Sequence, residues 1–472
     1  MTNFLLLLII PFLSFGQITK FESELPIIMI DTENQTILNE ERIICNMGII
    51  YNEGETNNTE NAFNEYNGNI SIEIRGTSSQ FYEKKSYSIE TQKINGDNNN
   101  VSLLGLPKEN DWILYGPYYD RTLIRNTLTY KLFENMGHYS PRYRYCELFI
   151  NNDYKGVYVF IEKIKRDKNR IDILEVDNNN ITGGYIFKID HLNIAGNLVD
   201  QNEYWNSNYL SIGGDSIYFQ YYYPKHDEIT EEQSYYLQNF IYEFETLLNT
   251  DGFNSGEMGL HHWIDFSSAI DFFIIQELSK NIDAYRASTY VYKHNNSVSE
   301  KLFFGPVWDF NFAYGSTSFC EGDSYIGWQN ETSCGQENPN WFIKFLQDSA
   351  YTNQLSCRWV ELRNSVLSMD SIFHLMDSLN QTIYEASDRN NIRWDISDES
   401  VYESFFSLEQ WIINRLKWLD ENMFGGCENI ITSSDYKSLL KIVDILGRDT
   451  NQKGLQLHIY NDGSVEKKYV IE

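Results

Sequence analysis

Two aspartates stand beside short aromatic segments that lie close enough in sequence to form one hairpin. Asp283 comes shortly before residues 288–293, and Asp309 directly follows Trp308. Phosphoryl transfer uses such a pair of carboxylates, because one must orient the attacking hydroxyl while the other holds a divalent metal on the phosphates. The spacing alone is a weak signal, since aspartates are also common in solvated turns. The pair is therefore a candidate site, and its alternative is two ordinary turn residues.

A basic loop early in the chain could supply contacts to phosphate groups. Residues 75–85 carry a Gly-Thr-Ser-Ser stretch between two predicted strands, and backbone N–H groups there could cradle phosphate oxygens. Arg75 could clamp a phosphate through two hydrogen bonds, and Lys84 and Lys85 add positive charge. The alternative is a polar hairpin with an exposed basic turn. Nucleotide binding needs a basic, glycine-bearing loop early and metal-binding carboxylates late, and this chain has that order.

Two further charged residues stand in or at the end of predicted strands. Glu162 ends the apolar run at 156–161 and could mark the edge of a cleft, although it could equally show a strand leaving the core. Lys188 lies between Phe187 and Ile189, and a buried lysine needs a partner or a ligand. The alternative is that Lys188 lies on the solvent face of its strand.

The net charge limits the classes of molecule that the protein is expected to bind. The chain of 472 residues has 67 acidic and 37 basic residues and a formal net charge of −30. Such a surface repels nucleic acids and anionic membranes, and an anionic nucleotide would need local Lys or Arg and divalent cations. The chain contains neither Gly-x-Ser-x-Gly nor His-Glu-x-x-His, and the adjacent His261 and His262 would point to different sides of a helix. Hydrolase chemistry built on a histidine base therefore has little support.

Predicted strands dominate the first part of the chain and predicted helices the last. Alternating apolar residues indicate strands such as 69–75, whereas apolar stripes indicate helices, such as the one that follows Asp120, a candidate N-cap. The hydrophobic share of 42% is compatible with a real core. This order predicts an α+β fold with a sheet-rich N-terminal part and a helical C-terminal part. A composition break at Gly425 and Gly426 sets the remainder apart as a short tail.

The N-terminus and the cysteines indicate an exported protein. Residues 1–16 are typical of a secretory signal, with an apolar run at 4–10 and small residues before a cleavage site, although a basic start is missing. No stretch reaches the ~18 apolar residues of a membrane span. An exported chain can keep disulfides, and Cys320 and Cys334 bracket one polar loop that we predict they close. Cys146, inside an apolar strand, is predicted to be a buried thiol.

A series of short motifs resembles the CotH-like (spore coat protein H) family of atypical kinases. The resemblance spans roughly residues 25–420 in order, and it implies a kinase-like two-lobed fold, ATP with Mg²⁺ or Mn²⁺, and phosphorylation of a secreted or surface protein. The motifs are RGTSS (75–79) with KKSY (84–87), LGLP (104–107) with DW (111–112), Asp120 with IRN (124–126), ELFIN (147–151) with YKGVY (154–158) and Glu162, and then Asp283 and WD (308–309).

The resemblance implies a role for each matching residue. Asp283 falls on the catalytic acidic position and Asp309 on the metal-binding one. The loop residues Arg75, Lys84 and Lys85 would lie over the phosphates, and Glu162 falls where a hinge-like strand end meets the nucleotide. Lys85 and Lys188 compete for the role of the lysine that contacts the triphosphate.

Two positions depart from the family pattern. Many members carry Asn where Ser288 stands and a second Asp where Asn311 stands. Ser288 and Asn311 can still offer neutral oxygens to a nucleotide-bound Mg²⁺, but the site has lost charge. The alternative function is therefore a catalytically inactive CotH-like module that binds or organises a surface matrix.

The tail resembles the C-terminal sorting domain of the type IX secretion system. The matching segments are LKIVDILGR (440–448) and IYNDGSVEKK (459–468). The resemblance implies export through the periplasm to the surface of a Bacteroidetes-type cell, with the secretion machinery as a partner. We thus predict a signal peptide at 1–16, a CotH-like kinase domain at 17–424 and a sorting tail at 435–472.

Overall fold

A computed structural model describes residues 20–39, 41–177, 180–194, 197–254, 259–332, 338–424, 426–427, 439–444, 448, 450, 454–460 and 465–470. The predicted signal peptide at 1–16 lies outside the described residues, as do Cys334, Gly425 and parts of the predicted tail.

The N-terminal part is built around a closed barrel of seven strands in the order β2-β3-β5-β6-β7-β9-β8. Neighbouring strands are antiparallel except β2 and β8, whose parallel pairing closes the barrel. Alternate side chains fill its interior; Ile72 and Ile89 face each other across β5 and β6 and are fully buried. The strands are β1 (Glu22–Ser23), β2 (Ile27–Asp31), β3 (Ile43–Ile50), β4 (Asn57–Asn58), β5 (Tyr66–Arg75), β6 (Ser86–Gln92), β7 (Asp111–Tyr115), β8 (Tyr143–Ile150) and β9 (Asp153–Glu162), with β1 and β4 paired separately.

A second, fully antiparallel sheet of five strands follows, in the order β13-β14-β10-β15-β16. Its strands β15 and β16 form the predicted hairpin, so Asp283 lies just before the hairpin and Asp309 just after it. The strands of this region are β10 (Tyr185–Ile189), β11 (Asn193–Ile194), β12 (Asn197–Leu198), β13 (Tyr204–Leu210), β14 (Ser216–Tyr223), β15 (Thr289–Lys293) and β16 (Leu302–Phe304), with β11 and β12 paired separately.

Helices dominate the chain from residue 231 onward. The helices are α1 (Arg125–Asn135), α2 (Glu231–Leu248), α3 (Leu260–Trp263), α4 (Phe266–Ser279), α5 (Trp341–Phe345), α6 (Ser349–Arg363), α7 (Met369–Arg393) and α8 (Asp398–Asn422). Helix α4 is buried on all sides, as its apolar sequence predicts. The predicted α+β fold, sheet-rich first and helical last, is confirmed, whereas closure of the first sheet into a barrel was not predicted.

Helix ends follow ordinary capping chemistry. Thr230 and Gln233 form a capping box at α2, and Asp265 accepts a hydrogen bond from the Ser268 amide at the start of α4. Asp120, the predicted N-cap, instead accepts a hydrogen bond from the backbone N–H of Arg125, at 2.8 Å, from five residues before α1. Its carboxylate therefore stabilises the turn that leads into the helix.

The C-terminal tail is a three-stranded antiparallel sheet of β17 (Leu439–Val443), β18 (Gly454–Tyr460) and β19 (Val465–Val470). A disulfide that was not predicted, Cys357–Cys427, joins α6 to the segment after α8. Cys320 is also disulfide-bonded, and Cys146 is a buried free thiol as predicted. Among the helices that the structure describes, none is both long and apolar enough to cross a membrane.

Candidate active site

A cleft of about 580 Å³ opens between the rim of the barrel and the second sheet. Six of the nine candidate site residues line it, and they come from the end of β5, from β10, from the segment between α4 and β15, and from the segment after β16. They are Arg75, Lys188, Asp283, Ser288, Asp309 and Asn311. Arg75 and the loop after it therefore share one cleft with the two aspartates, whereas Lys84 and Lys85 of that loop do not line it.

Asp309 lies in the cleft with a left-handed backbone, at φ 62°. This conformation is uncommon outside glycine, and it is held by the Asn281 side chain, which donates to the Asp309 carbonyl at 3.1 Å. Desolvation raises the pKa of the Asp309 carboxyl to about 7, the charge of Asp283 adds to the rise, and Arg75 opposes it. The site therefore concentrates negative charge that a cation would relieve.

Asp283 is held by its own turn and by one arginine. The Asp283 amide donates to the Asn281 side chain at 3.2 Å, and the Arg286 guanidinium donates to the Asp283 carboxylate at 3.0 Å. Burial raises the pKa of the Asp283 carboxyl, against the opposing effect of Arg286. The carboxylate keeps 20% of its side-chain surface exposed, so a group bound in the cleft can reach it.

A third carboxylate, Asp190, lines the cleft and was missed by the sequence analysis. The Lys188 ammonium donates to it at 2.6 Å. Burial alone would raise the pKa of Asp190, but Lys188 and His191 together outweigh burial, and the pKa lies below its ordinary value. Residues two apart share one face of a strand, so the Lys-Ile-Asp sequence was a signal that could have found this pair.

The basic wall of the cleft is formed by Arg75 and the loop after it. The Arg75 guanidinium lies 5.3 Å from the ring centroid of Trp308, which stacks on Tyr130. Gly76 adopts a φ of +99°, and a Cβ there would lie 2.0 Å from the Ser79 hydroxyl oxygen. The turn therefore requires glycine, and this lets the loop backbone approach the cleft closely.

Asn311 is fixed from the barrel side. Its side-chain oxygen accepts hydrogen bonds from the Tyr115 hydroxyl and from the Asn126 amide, the latter at 2.9 Å. Asn126 also accepts from the Phe310 backbone N–H at 2.6 Å. Strand β7 and helix α1 thus position the loop that carries Asp309, but they also occupy the oxygen that Asn311 would offer to a metal.

Three residues singled out from the sequence do not line the cleft. Lys84 is fully buried and donates to Asn390 of α7 at 2.8 Å. Lys85 donates to the carbonyl of Gln80 at 2.6 Å and so closes its own loop. Glu162 is fully buried and paired with the Arg142 guanidinium at 2.8 Å. These contacts give all three a structural role, and Lys188 is the lysine that faces the cleft.

The donor set of the cleft suits a hard divalent cation bound together with a substrate. Within the described part of the chain, no three His, Cys, Asp or Glu side chains are grouped so as to hold a metal by themselves. Mg²⁺, however, commonly uses one or two carboxylates and completes its shell with water and substrate phosphates. Asp309, with Asp283 nearby and its own pKa raised, fits that pattern.

Comparison with known proteins identifies the family. No curated protein matches the chain. The sequence profile described as "CotH kinase protein" matches residues 72–419, which include every cleft residue discussed above and well over half of the chain. The resemblance drawn from the motifs is thus confirmed for the kinase-like region, while the tail lies outside the match. The chain belongs to the CotH kinase protein family.

Proposed function

We propose that this protein is an exported protein kinase that transfers the γ-phosphoryl group of ATP to a hydroxyl of another protein. The observation that carries the proposal is the single cleft that holds Asp283 and Asp309 opposite the basic Arg75 and Lys188. Family membership supports phosphoryl transfer as the class of reaction. Positioning and charge neutralisation supply most of the catalysis in such reactions, and this cleft offers groups for both.

Asp283 is the residue we assign to the acceptor hydroxyl. One of its carboxylate oxygens is bound by Arg286, and the other can accept a hydrogen bond from the acceptor. The acceptor oxygen forms a bond to the γ-phosphorus while the bond from that phosphorus to the bridging oxygen breaks and ADP leaves. The hydroxyl proton passes to Asp283, whose raised pKa makes it a better base.

Arg75 and Lys188 are the residues we assign to the triphosphate. Arg75 presents a planar guanidinium that can bind two phosphate oxygens, and Trp308 supports its orientation. Lys188 presents a point charge that Asp190 holds in place at 2.6 Å. The loop that begins at Gly76 can add backbone contacts.

Asp309 is the residue we assign to the metal, with Ser288 as a neutral neighbour in the same cleft. A Mg²⁺ or Mn²⁺ held there would supply positive charge that offsets the negative charge developing during transfer. Asp309 would supply the anionic ligand. Its left-handed backbone belongs to the same turn as Asn311, and this turn sets the direction of the Asp309 carboxylate.

A second candidate function is a catalytically inactive surface module. It is favoured by Asn311, where many family members carry Asp, because the Asn311 oxygen already accepts from Tyr115 and Asn126. A site with one free carboxylate ligand would bind metal weakly. Titration calorimetry with ATP and Mg²⁺ separates the two candidates, since the kinase requires metal-dependent nucleotide binding and the inactive module does not.

The test of the kinase is transfer of labelled phosphate from γ-labelled ATP to the protein itself and to a generic acceptor protein. We expect Mg²⁺- or Mn²⁺-dependent incorporation that is lost in Asp283→Ala and in Asp309→Ala. Asp370→Ala, in the first turn of α7 and outside the cleft, is the matched control and should retain activity. Incorporation that persists in both cleft variants would exclude the assignment.

Export is part of the proposal and has its own support. The disulfide Cys357–Cys427 and the disulfide-bonded Cys320 suit an oxidising compartment. The three-stranded tail is separable in sequence from the kinase region. Deleting residues 435–472 in a cell that carries type IX secretion should leave the protein folded in the periplasm, whereas surface display without the tail would contradict a sorting role.

A further inference from the structure

A groove of about 510 Å³, separate from the candidate active site, runs between the helices α7 and α8. It extends from Met376 to Asn391 on α7 and from Asp398 to Glu409 on α8, on either side of the turn that joins the two helices. On α7 its lining residues recur at spacings of three and four, so they form one face of that helix. The opposite face of α7 packs against the barrel through Arg389 and Asn390.

The groove is lined by aromatic side chains that are largely exposed. Tyr384 is 65% exposed, Tyr402 is 74% exposed and Phe406 is 54% exposed. None of residues 398–407, the first turns of α8, is fully buried, although Val401 and Phe405 add further apolar surface. Exposed aromatic side chains clustered in a groove between two helices are typical of an interaction site.

The rim of the groove is acidic. Its carboxylates come from Asp377 and Asp388 on α7 and from Asp398 and Glu409 on α8. Among the described residues that line the groove, none is Lys, Arg or His. Burial raises the pKa of Glu409. The charge of Asp377 adds to the rise, because the carboxylates of Asp377 and Glu409 repel each other. A cationic partner would relieve that repulsion.

We propose that this groove binds a partner segment that presents apolar side chains flanked by Lys or Arg, such as one face of a basic amphipathic helix. Apolar side chains of the partner pack against Tyr384, Tyr402 and Phe406, and its cations meet the acidic rim. A second copy of the chain is a poor occupant, because the rim and the whole chain, at −30, are both negative. The inference does not depend on the proposed kinase activity.

The test is direct binding of an 18-residue helical peptide of Leu and Lys, labelled with a fluorophore, to the full protein. We expect saturable binding that Tyr402→Ala and Phe406→Ala each weaken about 10-fold or more, as interface aromatics commonly do. Asp388→Lys and Asp398→Lys should each weaken binding. The loss should be smaller at high salt, because salt screens the attraction between exposed charges. Each of these side chains is exposed or on the rim, so thermal unfolding should show that the variants remain folded.

Matched control variants separate groove binding from general attraction to an acidic protein. Tyr235→Ala removes a tyrosine that is 72% exposed on α2, and Glu232→Lys reverses a charge in the first turn of that helix, as Asp398→Lys does on α8. We expect both controls to bind the peptide like the unaltered protein. Equal loss in control and groove variants would overturn the proposal, as would the absence of any binding.

Two further measurements decide what occupies the groove. A peptide in which Glu replaces every Lys should bind at least about 10-fold more weakly, because it meets the acidic rim. Equal binding of the acidic peptide would overturn the cationic part of the proposal. Sedimentation of the unaltered protein should show a monomer, and a dimer that dissociates in Tyr402→Ala would assign the groove to a second copy instead.

Discussion

Lys84 in the loop before β6 donates a hydrogen bond to Asn390 of α7, with 2.8 Å between Nζ and Oδ1. Both side chains are buried, and the same Asn390 oxygen accepts from the Val157 backbone N–H of the barrel at 3.2 Å. The contact joins the barrel to the helical part of the chain. A lysine from a motif that the sequence suggested would bind phosphate therefore lies buried between the barrel and α7 and does not line the cleft.

The first prediction concerns the pH dependence of stability. Burial lowers the pKa of Lys84 to about 7, against an ordinary value of 10.5 in the unfolded chain. Between those two values the unfolded state binds the proton more tightly, so this group makes the free energy of unfolding rise with pH from about 7 to about 10.5. Lys84→Met should flatten that rise, as measured by urea unfolding at several pH values.

The control for Lys84 is Lys131→Met. Lys131 is an exposed lysine on α1 with a surface ion pair to Glu134. Its removal should leave the slope of stability against pH unchanged, because surface pairs contribute little. An unchanged slope in Lys84→Met, alongside the unchanged slope of the control, would mean that Lys84 keeps an ordinary pKa in the folded protein.

The sequence predicted the order of strands and helices, but it did not predict how strands far apart in the chain pair. The hairpin flanked by Asp283 and Asp309 follows from local patterning, and local patterning is readable from one sequence. Closure of the barrel depends on parallel pairing of Ile27–Asp31 with Tyr143–Ile150, two strands far apart in the chain, and no local signal encodes that pairing. Local patterning likewise does not show that Lys84 is buried against α7 while Lys85 contacts its own loop.

The second prediction distinguishes the two lysines that competed for the triphosphate. Lys188 faces the cleft and is paired with Asp190, whereas Lys85 binds backbone carbonyls of its own loop. Lys188→Met should weaken Mg²⁺–ATP binding by about 1.5–3 kcal/mol, the usual range for a hydrogen bond to a charged group. Lys85→Met should change it much less. Titration calorimetry of both variants checks this, and a larger loss for Lys85→Met would reassign the triphosphate contact.

The third prediction separates the roles of the two aspartates. Asp309→Asn should weaken metal-dependent ATP binding about 10-fold or more, because it removes the anionic ligand. Asp283→Asn should leave that binding nearly unchanged but slow phosphate transfer by about 10²–10⁴-fold, the usual contribution of a general base. Binding and transfer are measured on the same preparations. Loss of nucleotide binding in Asp283→Asn with retention in Asp309→Asn would exchange the two assignments.

The fourth prediction concerns the stability of the metal-free protein. Asp309 is desolvated and lies in the field of Asp283 and Asp190, so its ionised form is disfavoured. Asparagine keeps the shape and can still accept the hydrogen bond from Asn311. With a chelator present, Asp309→Asn should therefore unfold at a higher temperature than the unaltered protein. A lower melting temperature would indicate that the carboxylate is stabilised in the fold by contacts that outweigh the repulsion.

The fifth prediction concerns the disulfide Cys357–Cys427, which spans 70 residues of sequence and encloses α7 and α8. Closing a loop of this length restricts the unfolded chain and is expected to stabilise the fold by about 4 kcal/mol in the chain-entropy account, within a usual range of about 2–4. Cys427→Ser should lower the free energy of unfolding by that amount in denaturant titrations.

The control is reduction with dithiothreitol. It should lower the free energy of unfolding of the unaltered protein to nearly that of the variant, and it should change the variant little except through Cys320. Equal stability of the oxidised protein and Cys427→Ser would show that the helices α7 and α8 hold their place without the bond, through contacts such as Arg363 with Asp420.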